Sequence, residues 1–164
     1  MTTPTKETAH YDGSHMQRAI ELAKQSIESG GGPFGAVVVK DGQILAEAHN
    51  QVVLDHDPTA HAEVRALRLA ATALGDHVLT GCTVYSSCEP CPMCLGALFW
   101  SRVDRVWFAA TREDAAAAGF DDEALYVELT RPLADRSLPI ACRDREAGLA
   151  PMKLWTSNTG KTPY

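Results

Sequence analysis

The chain reads as an α/β protein, with helices covering both faces of a sheet of roughly five strands. Three observations predict this. Short β-branched runs alternate with stretches whose apolar residues recur at helical spacing. Asp41-Gly42 separates two such runs as a tight hairpin turn. The 164 residues, 45% hydrophobic and 22% charged, suffice for one domain with a full core.

The elements follow in order. Residues 1–13 are polar and read as a flexible N-terminus, and residues 14–164 as a single domain. Met16, Ala19, Ile20, Ala23 and Ile27 mark a helix over 15–29, stopped by Gly30-Gly31-Gly32-Pro33. Phe34 to Val39 and Gln43 to His49 form the hairpin strands. Asp57-Pro58 predicts a helix start, with Val64, Leu67 and Ala71 on its apolar face. Gly81 to Ser86 predicts a third strand, Pro90 opens a helix through Leu98, and Arg105 to Ala110 predicts a fourth strand. Asp114 to Ala118 and Asp122 to Leu129 read as short helices, Ser137 to Cys142 as a fifth strand or strand-like segment, and Leu149 to Trp155 as a last helix. Cys82 and Cys142 lie in apolar segments and are expected to be buried.

The net charge of −6 disfavours a nucleic-acid partner, because the arginines are scattered among acidic neighbours such as Arg143-Asp144-Arg145-Glu146. No apolar run approaches the ~20 residues that span a bilayer, and the N-terminus carries no signal-like stretch, so the cytoplasm is the expected location. Five cysteines, an odd number, argue against a disulfide framework.

The chemistry is concentrated in His61-Ala62-Glu63 and Pro90-Cys91-Pro92-Met93-Cys94. One imidazole and two thiolates can hold a zinc ion with a fourth position open, and the ion then acidifies a water. Glu63 is the candidate proton carrier. This H-x-E and P-C-x-x-C pattern is that of hydrolytic zinc deaminases. Residues i and i+2 lie about 200° apart on a helix, so His61 and Glu63 share a site only if the metal lies at the helix end. A second reading stays open here: Cys88 with His61, Cys91 and Cys94 would make a closed, purely structural zinc site.

The stretches Gly31 to Gly42, Asp57 to Val64, Ser87 to Ala97 and Asp114 to Asp122, with the terminal Tyr164, resemble the bacterial-type guanine deaminases of the cytidine deaminase superfamily. That resemblance implies a cytidine deaminase-like three-layer α/β/α sandwich with a mixed, roughly five-stranded sheet. It implies one zinc per subunit on His61, Cys91 and Cys94, with Glu63 catalytic, and hydrolysis of guanine to xanthine and ammonia. It assigns substrate contacts to Asn50, Phe34, Ala62, Asp114 and Tyr164. It also implies a homodimer that exchanges a C-terminal segment of about 143–164, so that Tyr164 enters the partner's site. On local sequence alone, Asn50 could serve a turn, Phe34 the core, and Asp114 a helix N-terminus. Guanosine, cytosine and triazine amines are rival substrates, since the zinc chemistry is common to all; tRNA adenosine is a further alternative.

Overall fold

A computed structural model describes residues 10–163. Its chain forms two compact units, Met1–Asp122 and Glu123–Tyr164.

The first unit is built on a sheet of strand order β2-β1-β3-β4, from β1 (Gly35–Lys40), β2 (Gln43–His49), β3 (Cys82–Cys88) and β4 (Arg105–Ala110). β1 pairs antiparallel with β2 and β3, whereas β3 and β4 run parallel, so the sheet is mixed. Asp41 and Gly42 turn the hairpin at φ 50° and 76°, as the sequence predicts.

Alternation along β1 builds two cores. Val37 and Val39 face helix α1 (Gly13–Glu28) through Met16, Ala19 and Leu22, joined by Tyr85 of β3. Ala36 and Val38 face helix α2 (Ala62–Leu74) through Ala62, Ala66, Leu67 and Ala70, joined by Val84 of β3 and Leu98 of helix α3 (Pro92–Trp100). Helices therefore lie on both faces of the sheet, the three-layer arrangement expected. The contact between α1 and β1 is close enough that a Cβ on Gly35 would lie 2.2 Å from the Ala19 carbonyl oxygen and 2.6 Å from the Ala23 nitrogen.

Three expectations are corrected. The sheet has four strands among the described residues, not five. Ser137 to Cys142 joins no ladder, because Pro139 lacks the N–H that a ladder needs. Leu138 and Ile140 are exposed there, and so is Cys142. The helices expected from Asp57-Pro58 and Pro90 begin later, at Ala62 and Pro92. Asp57 instead closes a local turn, accepting from the Thr59 N–H at 2.8 Å and its hydroxyl at 2.7 Å. The expected N-terminal tail lies outside the described residues as far as residue 9, and Asp12 caps α1.

Helix α4 (Arg112–Ala117) completes the first unit. The second contains helices α5 (Glu123–Thr130) and α6 (Arg145–Ser157), with a short 3-10 turn at Leu133–Asp135.

Candidate metal and catalytic site

The late helix starts place the ligands. His61 is the N-cap of α2 and Cys91 the N-cap of α3, both with extended backbones. Among the described residues, neither makes a side-chain capping hydrogen bond of ordinary geometry, and both turn towards a common point, although the Cys94 N–H helps hold the Cys91 thiol down. Glu63 and Cys94 lie in the first turns that follow. This placement answers the i, i+2 difficulty, since the metal point lies off the end of α2.

The donor atoms fit zinc. His61 Nδ1 lies 3.6 Å from Cys91 Sγ and 3.4 Å from Cys94 Sγ. Zinc–sulfur and zinc–nitrogen bonds of about 2.3 and 2.0 Å at the tetrahedral angle hold N and S about 3.5 Å apart. Among the described residues His61, Cys91 and Cys94 form the one group of potential ligands whose donors lie within 4.8 Å of one another. Cys88 is not in it. It ends β3 with its thiol 3.6 Å from the Thr111 carbonyl oxygen, and burial pushes that thiol up to about 11. The closed four-ligand site therefore lacks its fourth member.

The electrostatics match ligand chemistry. The hydrogen bond from Cys94, then the His61 imidazole, hold the Cys91 thiol down at about 4. The same hydrogen bond, together with burial, pushes Cys94 up, and the bond to Cys91 raises His61. A proton is thus shared among groups that a metal would strip of it.

Glu63 is 5% exposed, and burial raises its pKa. Its Oε1 accepts from Ser86 Oγ at 2.9 Å, and Oε2 faces Cys94 Sγ at 3.4 Å. A buried carboxyl of raised affinity for protons, beside a metal point, can take a proton and return it.

Asn50 is 5% exposed and follows β2. Its carbonyl accepts from Ser26 Oγ at 2.9 Å, and its Oδ1 accepts from the Val52 N–H at 3.2 Å. Gly31 makes room for this: a Cβ there would meet Ser26 Oγ at 2.6 Å and the Asn50 carbonyl at 2.7 Å. Phe34 packs against the α2-side core and meets the Phe120 ring edge-on, centroids 5.0 Å apart. Ala62, fully buried, brings the first amide of α2 beside His61.

Asp114 is placed otherwise. Its Oδ2 accepts from the Thr111 N–H at 2.8 Å and hydroxyl at 3.1 Å, closing a capping box at the start of α4. Tyr164 lies outside the described residues. Sequence reasoning passed over Ser86, Phe120 and Asp122 as individual residues. Burial, then the charge of Cys91, raises the pKa of Asp122. A polar residue on the apolar face that Val84 shares was the available signal for Ser86.

Residues 10–110 match the cytidine and deoxycytidylate deaminase zinc-binding region. The chain belongs to the cytidine and deoxycytidylate deaminase family. Within it, the chain is 47% identical over 150 residues to the guanine deaminase of Bacillus subtilis, covering 91% of this chain and 96% of that one. The crystal structure of guanine deaminase from Bacillus subtilis superposes with a TM-score of 0.91 at 46% identity, over 94% of this chain and 99% of that chain. A tRNA-specific adenosine deaminase of Aquifex aeolicus is 46% identical over 92 residues, 56% of this chain and 61% of the relative. A further solved structure, a variant in complex with 8-azaguanine, matches at a TM-score of 0.65 and 38% identity over 66% and 63% of the two chains. Family membership and the donor geometry agree on one Zn2+, held by His61, Cys91 and Cys94 in a hydrolytic deaminase.

Proposed function

We propose that this chain hydrolyses guanine to xanthine and ammonia. One observation carries the chemistry: a buried carboxyl, Glu63, lies between the His61, Cys91 and Cys94 donor set and the Ser86 hydroxyl. The base follows from similarity to guanine deaminase along nearly the whole chain, whereas the tRNA adenosine deaminase of Aquifex aeolicus matches only 56% of it.

Zinc held there supplies a Lewis acid that brings the pKa of water to near 7. Glu63 takes the proton of the attacking water and delivers it to the ring nitrogen, then takes the proton of the newly added hydroxyl and delivers it to the departing amine. Asn50 holds the base through its side-chain amide, whose Oδ1 is already engaged by Val52. The Phe34 ring walls the pocket, and the first amide of α2, at Ala62, donates to charge that develops on the base. Of the three acids in the segment 114–122, Asp122 is the one we assign to reading the base: it alone is partly buried, whereas Asp121 is exposed and Asp114 closes the capping box.

The protein works as a homodimer in which a segment of about 143–164 exchanges and Tyr164 closes the partner's site. Exposed Leu129, Leu138, Met152 and Leu154 support an apolar partner surface on the second unit. Its place is cytoplasmic purine breakdown; no described helix is long and apolar enough to cross a membrane.

The test is ammonia release from guanine, guanosine, cytosine, adenine and triazine amines. Guanine should give the highest kcat/KM; a higher value for any other amine would overturn the assignment. In the same assay Asp122→Asn should lose more kcat/KM on guanine than Asp114→Asn, and the reverse order would return the base-reading role to Asp114.

A further inference from the structure

We infer that Ser86 is the positioning residue of the proton carrier: its hydroxyl fixes which oxygen of Glu63 is free to work. The inference rests on the deaminase reading above and adds to it a residue that acts only through Glu63.

The geometry is specific. Ser86 is 1% exposed and stands near the end of β3, between Ala36 of β1 and Phe108 of β4 in the sheet register. Strand alternation turns it to the face of Val84, which is packed against α2. On that apolar face its hydroxyl reaches Glu63 Oε1 at 2.9 Å, across 23 residues of sequence. A buried hydroxyl without a partner is costly, and so is a buried carboxyl oxygen. Each satisfies the other. Oε1 is thereby held away from the metal point, and Oε2, on the Cys94 side, is the oxygen presented to the reacting atoms.

The carboxyl needs this anchor. Glu63 belongs to the first turn of α2, and its helix fixes only Cα and Cβ; three further torsions set the carboxyl plane. Proton transfer requires that plane to lie within hydrogen-bond reach of water, ring nitrogen and leaving amine in turn. A displacement of about 1 Å costs about 100-fold in rate. Ser86 can do this work because its hydroxyl bonds the carboxyl directly.

The test compares Ser86→Ala, Ser86→Thr and Val84→Ala in the zinc-loaded protein, using whichever amine of the panel the unaltered protein turns over fastest. Ser86→Ala should lose about 10- to 100-fold in kcat with KM within about 2-fold and zinc content unchanged. Ser86→Thr restores the hydroxyl and should recover most of kcat. Val84→Ala, on the same face of the same strand, should lower Tm and leave kcat and KM alone, which separates positioning from packing. A kcat for Ser86→Ala within 2-fold of the unaltered protein, or an equal loss in Ser86→Thr at native Tm, would overturn the inference. Should no amine be turned over, the deaminase reading fails by itself, and crystal structures still decide for Ser86. In Ser86→Ala the Glu63 carboxyl should rotate from its present plane; an unmoved carboxyl overturns the role.

Discussion

Replacing Cys88 by serine should leave one zinc per chain. The structure separates the four nearby candidates into three ligands and one bystander. His61, Cys91 and Cys94 already hold N-to-S separations of 3.4 and 3.6 Å, within about 0.1 Å of those of a tetrahedral zinc. Cys88 directs its thiol to the Thr111 carbonyl and stands outside the donor cluster. The loss in Cys88→Ser is therefore at most that of one buried hydrogen-bonded contact, about 0.5–1.5 kcal/mol, or a fall in Tm of about 2–5 °C. Cys94→Ser removes a ligand and should weaken zinc by more than the roughly 100-fold that loss of an outer-shell partner costs. Elemental analysis after dialysis, with thermal melting beside it, measures both quantities. Zinc lost from Cys88→Ser, at a native melting profile, would show that the metal is held by four protein ligands and would refute the open site.

Glu63→Gln keeps the shape and the acceptor for Ser86, so zinc content and Tm should persist while kcat falls by at least about 100-fold; single-turnover ammonia release measures it. Gly35→Ala should destabilise by more than the about 1–3 kcal/mol of ordinary overpacking, since its Cβ meets α1 backbone rather than a movable side chain, and urea melts report it. Arg18, hydrogen-bonded to Glu47, holds that carboxyl below its ordinary range. A depressed folded pKa stabilises above the unfolded value of about 4.3 and is lost as pH falls through the folded one. Both side chains are about a third exposed, 31% and 37%, so the pair is worth about 0.2–1 kcal/mol. Arg18→Ala should lower Tm at pH 7 and converge on the unaltered protein as pH falls through the lowered folded value of Glu47; equal Tm values at pH 7 would dismiss the pair.

Where the chain is governed by its nearest neighbours, it could be read directly. Asp41-Gly42 demands positive φ and made the hairpin legible, and β2 and β4 have the bounds expected. The His61, Cys91 and Cys94 cluster was legible because residue type and spacing carry metal chemistry. Helix starts were less so. Asp57-Pro58 has the local composition of a helix start, but Asp57 spends its carboxyl on Thr59, and the helix waits until Ala62. Ser137 to Cys142 has strand-like composition, but Pro139 within it was the local sign against a ladder. Contacts made through space, such as Phe120 with Phe34 or Ser86 with Glu63, leave no signal in spacing.

Positions 61 and 91 also set stability against use. A helix N-cap favours serine, threonine, asparagine or aspartate, and their loss costs about 0.5–2 kcal/mol at each terminus. This chain places imidazole and thiol at two such termini and gives up the capping at both. Stripped of metal, the protein should therefore melt higher as His61→Asn or Cys91→Ser than unaltered. Selection for thermal stability alone would drift towards those residues and discard the enzyme. At these two positions, the sequence that folds best and the sequence that works are different sequences.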